Sequence, residues 1–307
     1  MVDGEALARE HRRYLWGLCY RLTGSAADAD DLVQETWLRA IERPPARADE
    51  PVRPWLTRVA VNLGIDRLRA RRRRAYDGPW LPSPIETEGE GAEIGIEPVE
   101  TEGRYDLLES VSMAFLVALE ALTPRQRAIV LLCDVFDWSV KEAAEALGMT
   151  ETAVKTMHHR ARSALSAYEA RRTRRTPELV EKTRAALGRF LSALGSADGK
   201  TLESILHAEV RHLSDGGGEF FAARVPVVGR DRVGRLMVGL TKRLQDQPRF
   251  ALRMVNGMPA VVMEREPGRK IAPRSVVQCE INEDGSIRAI YWVLASKKLT
   301  AVRAIEG

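Results

Sequence analysis

The stretch WSVKEAAEALGMTETAVKTMHHRARSAL, residues 138–165, holds two short amphipathic patterns around a glycine. Val140, Ala143, Ala144 and Leu147 make an apolar stripe over the first, and Gly148 permits a tight turn. In the second, Val154, Met157, Ala161 and Leu165 recur at steps of three and four, so they share a face that packs inward. Thr152, Lys155, Thr156 and His159 occupy another stripe, with Arg160 beside Thr156. Short polar and basic side chains on an exposed helix face enter a major groove without a bulky apolar obstacle. An ordinary helical hairpin with a solvated polar face fits the same pattern. Turn, lengths and exposed chemistry together favour helix-turn-helix docking on DNA.

The helical reading extends in both directions. Downstream of residue 106 the periodicity predicts helices over 107–121, 124–134, 139–147 and 150–169. Upstream, residues 5–43 read as two helices separated at Gly24. The second buries Ala29, Leu32, Val33, Trp37, Leu38 and Ile41 and is stopped by Pro44 and Pro45. A third helix spans 53–73, where Trp55, Arg58, Asn62, Asp66 and Arg69 fall on one face. Leu56, Val59 and Leu63 flank that stripe on one side, and Val61, Ile65 and Leu68 on the other. Such a stripe can stack on bases, hydrogen-bond and neutralise phosphate. A solvated face with a partly buried Trp and an Asp–Arg pair fits these residues as well.

Residues 76–106 lack a sustained period and contain seven glutamates, five glycines and four prolines, which reads as a linker. Its front end, with Trp80, Leu81 and Pro82 among further prolines, reads instead as a docking peptide. Past Pro177 come helices at 177–195 and 199–206, then β-rich sequence, a helical stretch near 230–244, and strands at 250–256, 260–264, 276–281 and 287–294.

The 307 residues carry 47 Lys plus Arg against 43 Asp plus Glu, a net charge of +4. That mild total conceals blocks of +4 over 1–75, −9 over 76–109, +3 over 110–176 and +6 over 177–307. A nucleic-acid partner is therefore not excluded. No apolar run suits a membrane span, and no signal peptide is read after Met1. Three well-separated cysteines give neither a disulfide framework nor a metal knuckle, so a reducing, cytoplasmic setting is expected, with no metal and no cofactor.

Three motifs carry a family resemblance. The run Asp28–Arg39 resembles the core-polymerase-binding helix of bacterial extracytoplasmic-function sigma factors of the sigma-70 family. The run Pro54–Arg69 resembles their −10 helix, and Leu122–Leu132 with the helix-turn-helix after it resembles region 4, the −35 reader. The resemblance implies two all-α domains, region 2 over 1–75 and region 4 over 107–171. It implies contact with RNA polymerase core through Asp31, Leu32, Gln34 and Glu35. It also implies promoter contacts from Trp55, Arg58, Asn62, Asp66 and Arg69 at −10, and from Thr152, Lys155, Thr156, His159, Arg160 and Arg162 at −35. Base edges would fall to Lys155 and Thr156, and phosphates to Arg160 and Arg162.

Residues 177–307 resemble the cone-shaped α+β SnoaL-like domain that ends one sigma subgroup. Trp80-Leu-Pro-Ser-Pro84 resembles that subgroup's linker motif, with Ser83 in place of Glu. Asp215-Gly216-Gly217-Gly218 resembles its second motif, with Glu219 in place of Lys. The resemblance gives this domain a regulatory role, with an intramolecular contact to the linker or the sigma domains, and leaves open a separate anti-sigma protein. The same fold elsewhere hosts enzymes, but nothing flanking Asp215, Glu264 or Glu280 marks a catalytic base, so no enzyme is expected. Two alternatives stand beside the sigma reading: a helix-turn-helix repressor with a ligand-sensing domain, and an enzyme fused to a DNA-binding module.

Overall fold

The computed structural model describes residues 4–42, 51–74, 76–88, 104–244 and 248–306. The expected stop at Pro44 and Pro45 and the acidic middle of the linker lie outside these residues. The chain divides into two compact units, residues 1–75 with 89–173, and residues 76–88 with 174–307. The division differs from the sequence reading in two respects: the two helical segments read as separate domains form one unit, and the front of the expected linker belongs with the C-terminal unit.

The first unit is helical. Helices α1 (Gly4–Thr23), α2 (Ala26–Glu42) and α3 (Val52–Arg72) pack on one another. Gly64 of α3 lies so close to Leu22 of α1 that a Cβ there would displace the leucine side chain. The expected helix over 107–121 is broken, because Ser112 adopts extended backbone and caps α4 (Met113–Ala118) through Phe115 N at 3.2 Å. Thr123 and Gln126 form a capping box at the start of α5 (Pro124–Val130), which runs into a π-helical turn at Leu131–Val135.

Ser139 and Glu142 form a second capping box for α6 (Val140–Leu147). Gly148 ends α6 at φ +60°, a left-handed conformation that side chains disfavour, and Thr150 caps α7 (Glu151–Ala164). A short α8 (Ser166–Glu169) follows.

Two buried arginines tie the early helices to the late ones. Arg21 donates to Ser110 Oγ at 2.7 Å and to the Leu107 carbonyl at 3.1 Å. Arg127 donates to the Leu22 carbonyl at 3.0 Å and pairs with Glu120, which also accepts from Arg71 at 2.8 Å.

The second unit is α+β. Helices α9 (Pro177–Gly195), α10 (Gly199–Ile205) and α11 (Arg230–Leu244) pack on a six-stranded sheet. Its strands are β1 (Leu206–Asp215), β2 (Val227–Val228), β3 (Arg249–Val255), β4 (Met258–Glu264), β5 (Arg274–Ile281) and β6 (Ile287–Val293). The order is β2-β1-β6-β5-β4-β3, antiparallel except for the parallel pair β1 and β6. Leu187, Phe190, Leu202, Val233, Met237 and Ile290 lie in the core between helices and sheet. Strand β1 has no counterpart in the sequence reading beyond the general β character of its region. It contains His207, Glu209, Arg211 and His212, and its buried face holds His212 and Ser214 as well as Val210.

Candidate nucleic-acid interface and linker seat

On α7 the two faces separate as the periodicity predicts. Val154 and Ala161 are buried, as is Leu165 just beyond the helix, while Thr152, Lys155, Thr156, His159 and Arg160 are exposed. Met157 is only half-buried. Lys155 lies 3.9 Å from Glu151, both well exposed, a pair that screening leaves weak.

Arg162 departs from its expected role. It pairs with Asp134 of the π-helical turn, and His158 Nε2 lies 2.8 Å from the same carboxylate. Arg162 thus fastens α7 to the preceding helix, and its guanidinium is directed at a carboxylate instead of phosphate. Neither Asp134 nor His158 was singled out from sequence.

Burial alone would raise the Asp134 carboxyl, but hydrogen bonds from His158 and Arg162 outweigh it and hold it below its ordinary value. Its stabilisation is complete above the unfolded value of about 3.9 and is lost as pH falls through the lower folded value. Asp134→Asn should cost about 1–3 kcal/mol near neutrality. The gap between wild type and variant, read by urea unfolding, should narrow on acidification from about pH 6 to about pH 3. A gap independent of pH rejects this pairing.

On α3 the polar stripe is narrow, as expected: Asn62, Asp66 and Arg69 are exposed, and Trp55 and Arg58 half-buried. Leu56, Val61, Leu63, Ile65 and Leu68 are buried and Val59 half-buried. Arg69 pairs with Asp66 at 2.9 Å. Asn62 Nδ2 donates to the Ala146 carbonyl of α6 at 3.2 Å, so the stripe meets the first helix of the helix-turn-helix. Arg58 shares a small cleft there with Trp138, Glu142 and Glu145.

The proposed polymerase face of α2 is corrected at one position. Leu32 is 1% exposed and packs towards Gly64, so it is a core residue and cannot meet a partner. Asp31 and Gln34 are exposed, and Glu35 is half-buried. Asp31 pairs with Arg67 at 3.3 Å and Glu35 with Arg39 at 3.1 Å. Leu38 and Ile41, read as core, are instead 60% and 79% exposed. Their sequence spacing continues the apolar pattern of α2, so no local signal separates them from its buried members.

In the second unit the docking peptide is seated. Leu81–Glu86 is buried, with Trp80 half-buried before it. Asp215, fully buried, accepts from Tyr76 Oη at 2.5 Å, Leu81 N at 2.7 Å, Gly217 N at 3.0 Å and Lys298 Nζ at 2.6 Å. Lys298 also donates to the Leu81 carbonyl at 2.5 Å and lies 4.0 Å from the centre of the Trp80 ring.

Farther along, Ile85 exchanges hydrogen bonds with Asn256, and Glu86 bridges antiparallel to Val255 at the end of edge strand β3. Glu86 is buried between Arg253 and Arg303, whose hydrogen bonds outweigh burial and lower its carboxyl. The peptide therefore binds as an added strand end with a charged anchor at each side.

The glycines of the second motif serve this seat. A Cβ on Gly216 would strike the Phe220 carbonyl, and Gly217, at φ +61°, would crowd Ala295. Glu219, which stands where the subgroup has lysine, is exposed; the cation on Asp215 is Lys298. Lys298 was not singled out from sequence.

Glu264 pairs with Arg274 and Arg249, and Glu280 with Arg288 and Tyr291. Among the described residues no cluster is placed to hold a metal ion, and no helix is long and apolar enough to cross a membrane.

Residues 7–74 match the sigma-70 region 2 family, and residues 112–165 match the family described as sigma-70, region 4. The chain is 34% identical over 297 residues to the ECF RNA polymerase sigma factor SigJ of Mycobacterium tuberculosis (strain ATCC 25618 / H37Rv), covering 94% of this chain and 91% of SigJ. It is 36% identical over 223 residues to SigG of the same species, covering 67% of this chain and 60% of SigG. The crystal structure of Mycobacterium tuberculosis extracytoplasmic function sigma factor SigJ superposes with a TM-score of 0.72 at 30% identity, covering 98% of this chain and 99% of that one.

Proposed function

The chain belongs to the extracytoplasmic-function RNA polymerase sigma factors of the sigma-70 family, in the subgroup with a C-terminal SnoaL-like domain, and from that premise we propose how its parts divide the work. Helix α2 meets polymerase core through Asp31, Gln34 and Glu35, joined by the exposed Leu38 and Ile41. The α3 stripe of Trp55, Arg58, Asn62, Asp66 and Arg69 handles the −10 element, and the exposed face of α7 reads the −35 duplex. The observation that carries the reading is α7 itself: five polar or basic side chains outward, with the apolar set on the opposite face. The protein acts in the cytoplasm, where its polymerase is. A repressor would have no use for the α2 surface, and the match to SigJ over nearly the whole chain sets that alternative aside.

The two readers must separate to work. Promoter elements about 25 base pairs apart lie about 85 Å apart along B-form DNA at 34–36 Å per turn. Asn62 touches α6 directly, so the first unit as folded cannot span them. Opening would break the Arg21–Ser110 and Arg71–Glu120 contacts. Because Tyr76–Glu88 is part of the tether between regions 2 and 4, its seat gives the C-terminal domain a hold on that opening.

Reconstituted holoenzyme should initiate at defined sites in run-off transcription, with the start points read by sequencing. Asp31→Arg should lose core binding with helical content intact. Initiation without promoter preference across a genomic library rejects the reading.

A further inference from the structure

The inner face of β1 has a feature that the sigma reading does not use. His212 and Ser214 line a cavity of about 310 Å³ in the C-terminal unit, between α11 and the sheet. That size lies at the lower end of small-molecule sites. Leu236, Leu240 and Leu294 supply apolar wall, and Arg243, Arg269 and Lys270 supply positive charge. Among the described residues lining it, none is acidic. The excess of base over acid in residues 177–307 thus has a local address.

Two polar groups in the wall are short of partners. His212 is 2% exposed and Trp292 9%, standing edge to face with ring centres 6.2 Å apart. His212 Nδ1 and Trp292 Nε1 are buried and make no hydrogen bond among the described residues. Buried donors and acceptors are ordinarily paired, so an unpaired couple beside a cavity calls for a partner. Burial pushes the His212 imidazole down to about 4, so near neutral pH the ring is uncharged, with one N–H donor and one acceptor nitrogen. Trp292 offers only a donor. A hydroxyl group, which both donates and accepts, suits this couple; a second charge would not.

At the basic end the arrangement is of another kind. Phe221 is 57% exposed, with the Arg243 guanidinium 5.3 Å and the Lys270 ammonium 5.6 Å from its ring centre. These cations attract a carboxylate, which desolvates less when it remains near solvent.

We propose that this cavity binds an apolar carboxylic acid bearing a distal hydroxyl, its carboxylate at Arg243, Arg269 and Lys270 and its hydroxyl against His212 and Trp292. None of Asp215, Glu264 and Glu280 lines the cavity, so the site is one of binding, without a carboxylate base. It is independent of the promoter reading, because ligand binding is measured without polymerase or DNA.

The test is calorimetric titration of the full chain with 10-hydroxydecanoate, decanoate and decylamine, alongside the shift in thermal midpoint each produces. 10-Hydroxydecanoate should bind saturably at one site, with a Kd of roughly 1–100 µM. Decanoate should bind several-fold more weakly and decylamine not at all. Leu240→Trp, which fills the cavity from a half-buried position, should abolish binding with the circular dichroism unchanged. The charge reversals Arg243→Glu and Lys270→Glu should each weaken it by about tenfold or more, as loss of a charged hydrogen bond requires. The proposal is overturned by absence of saturable binding of either acid, by decylamine binding as well as the acids, or by equal binding to Leu240→Trp. Equal affinity for the two acids overturns the hydroxyl contact.

Discussion

Lys298→Met should lower the thermal midpoint of the C-terminal unit by roughly 6–12 °C and expose Tyr76–Glu88 to proteolysis. Lys298 is the cation on a carboxylate with no solvent exposure, and breaking a buried pair from one side typically costs about 3–5 kcal/mol. Asp215 retains three neutral donors, from Tyr76, Leu81 and Gly217, which places the loss near the lower end, about 3 kcal/mol. At about 2–4 °C per kcal/mol for a unit of this size, that gives the stated shift.

The same ammonium holds the Leu81 carbonyl and lies over Trp80, so its removal also frees the peptide. Asp215→Asn should act in the same direction by stranding Lys298. Replacing both, Asp215→Leu with Lys298→Met, should recover part of the loss, since no charge is then left buried. Glu219→Lys, which restores the subgroup's residue at an exposed position, should change stability by less than about 0.5 kcal/mol. An unshifted midpoint and unchanged cleavage in Lys298→Met would remove Asp215 and Lys298 as the anchor. If the anchor is regulatory, holoenzyme formed with Lys298→Met should also differ in transcript yield from wild type.

What sequence could reveal here depends on the range of the interaction. The helix-turn-helix is local: a capping box at Ser139, a left-handed glycine at 148 and a three-and-four spacing on α7 all lie within 28 residues. The apolar runs of strands β4 to β6 are local too. Asp215 and Lys298 are 83 residues apart, and neither neighbourhood announces the other.

Arg162 and Asp134 present the same difficulty at 28 residues, and a solvent-facing arginine on a recognition helix looks alike whether it meets phosphate or a carboxylate. On α2, period places Leu32, Leu38 and Ile41 in one apolar pattern, and only the family resemblance puts Leu32 on a partner surface. The packing of α1 and α3 buries Leu32 and leaves Leu38 and Ile41 exposed. Strand β1 escaped because its later inward positions, His212 and Ser214, are polar, and pattern reading fails where a buried face lines a cavity instead of a core.

Alanine substitutions on α7 should divide into three classes in the reconstituted holoenzyme. Lys155→Ala and Thr156→Ala, at the centre of the exposed stripe, should each relax base preference at one position of the −35 element. Loss of a base-edge contact is worth about 1–3 kcal/mol, or roughly 5–150-fold in discrimination. The Glu151 pair does not withhold Lys155, since both side chains are more than half exposed.

Arg160→Ala should weaken every promoter alike and reduce the salt dependence of binding by about one unit of slope, the mark of a phosphate contact. Arg162→Ala should alter neither preference nor salt slope at a temperature where region 4 remains folded. It should instead lower the stability of region 4, because it removes one of the two side chains that hydrogen-bond the buried Asp134. Binding selection on randomised −35 sequences with each variant separates these outcomes. Unchanged base preference in both Lys155→Ala and Thr156→Ala removes them as readers. A reduced salt slope in Arg162→Ala shows that its guanidinium leaves Asp134 for phosphate when DNA arrives, and returns that arginine to the interface.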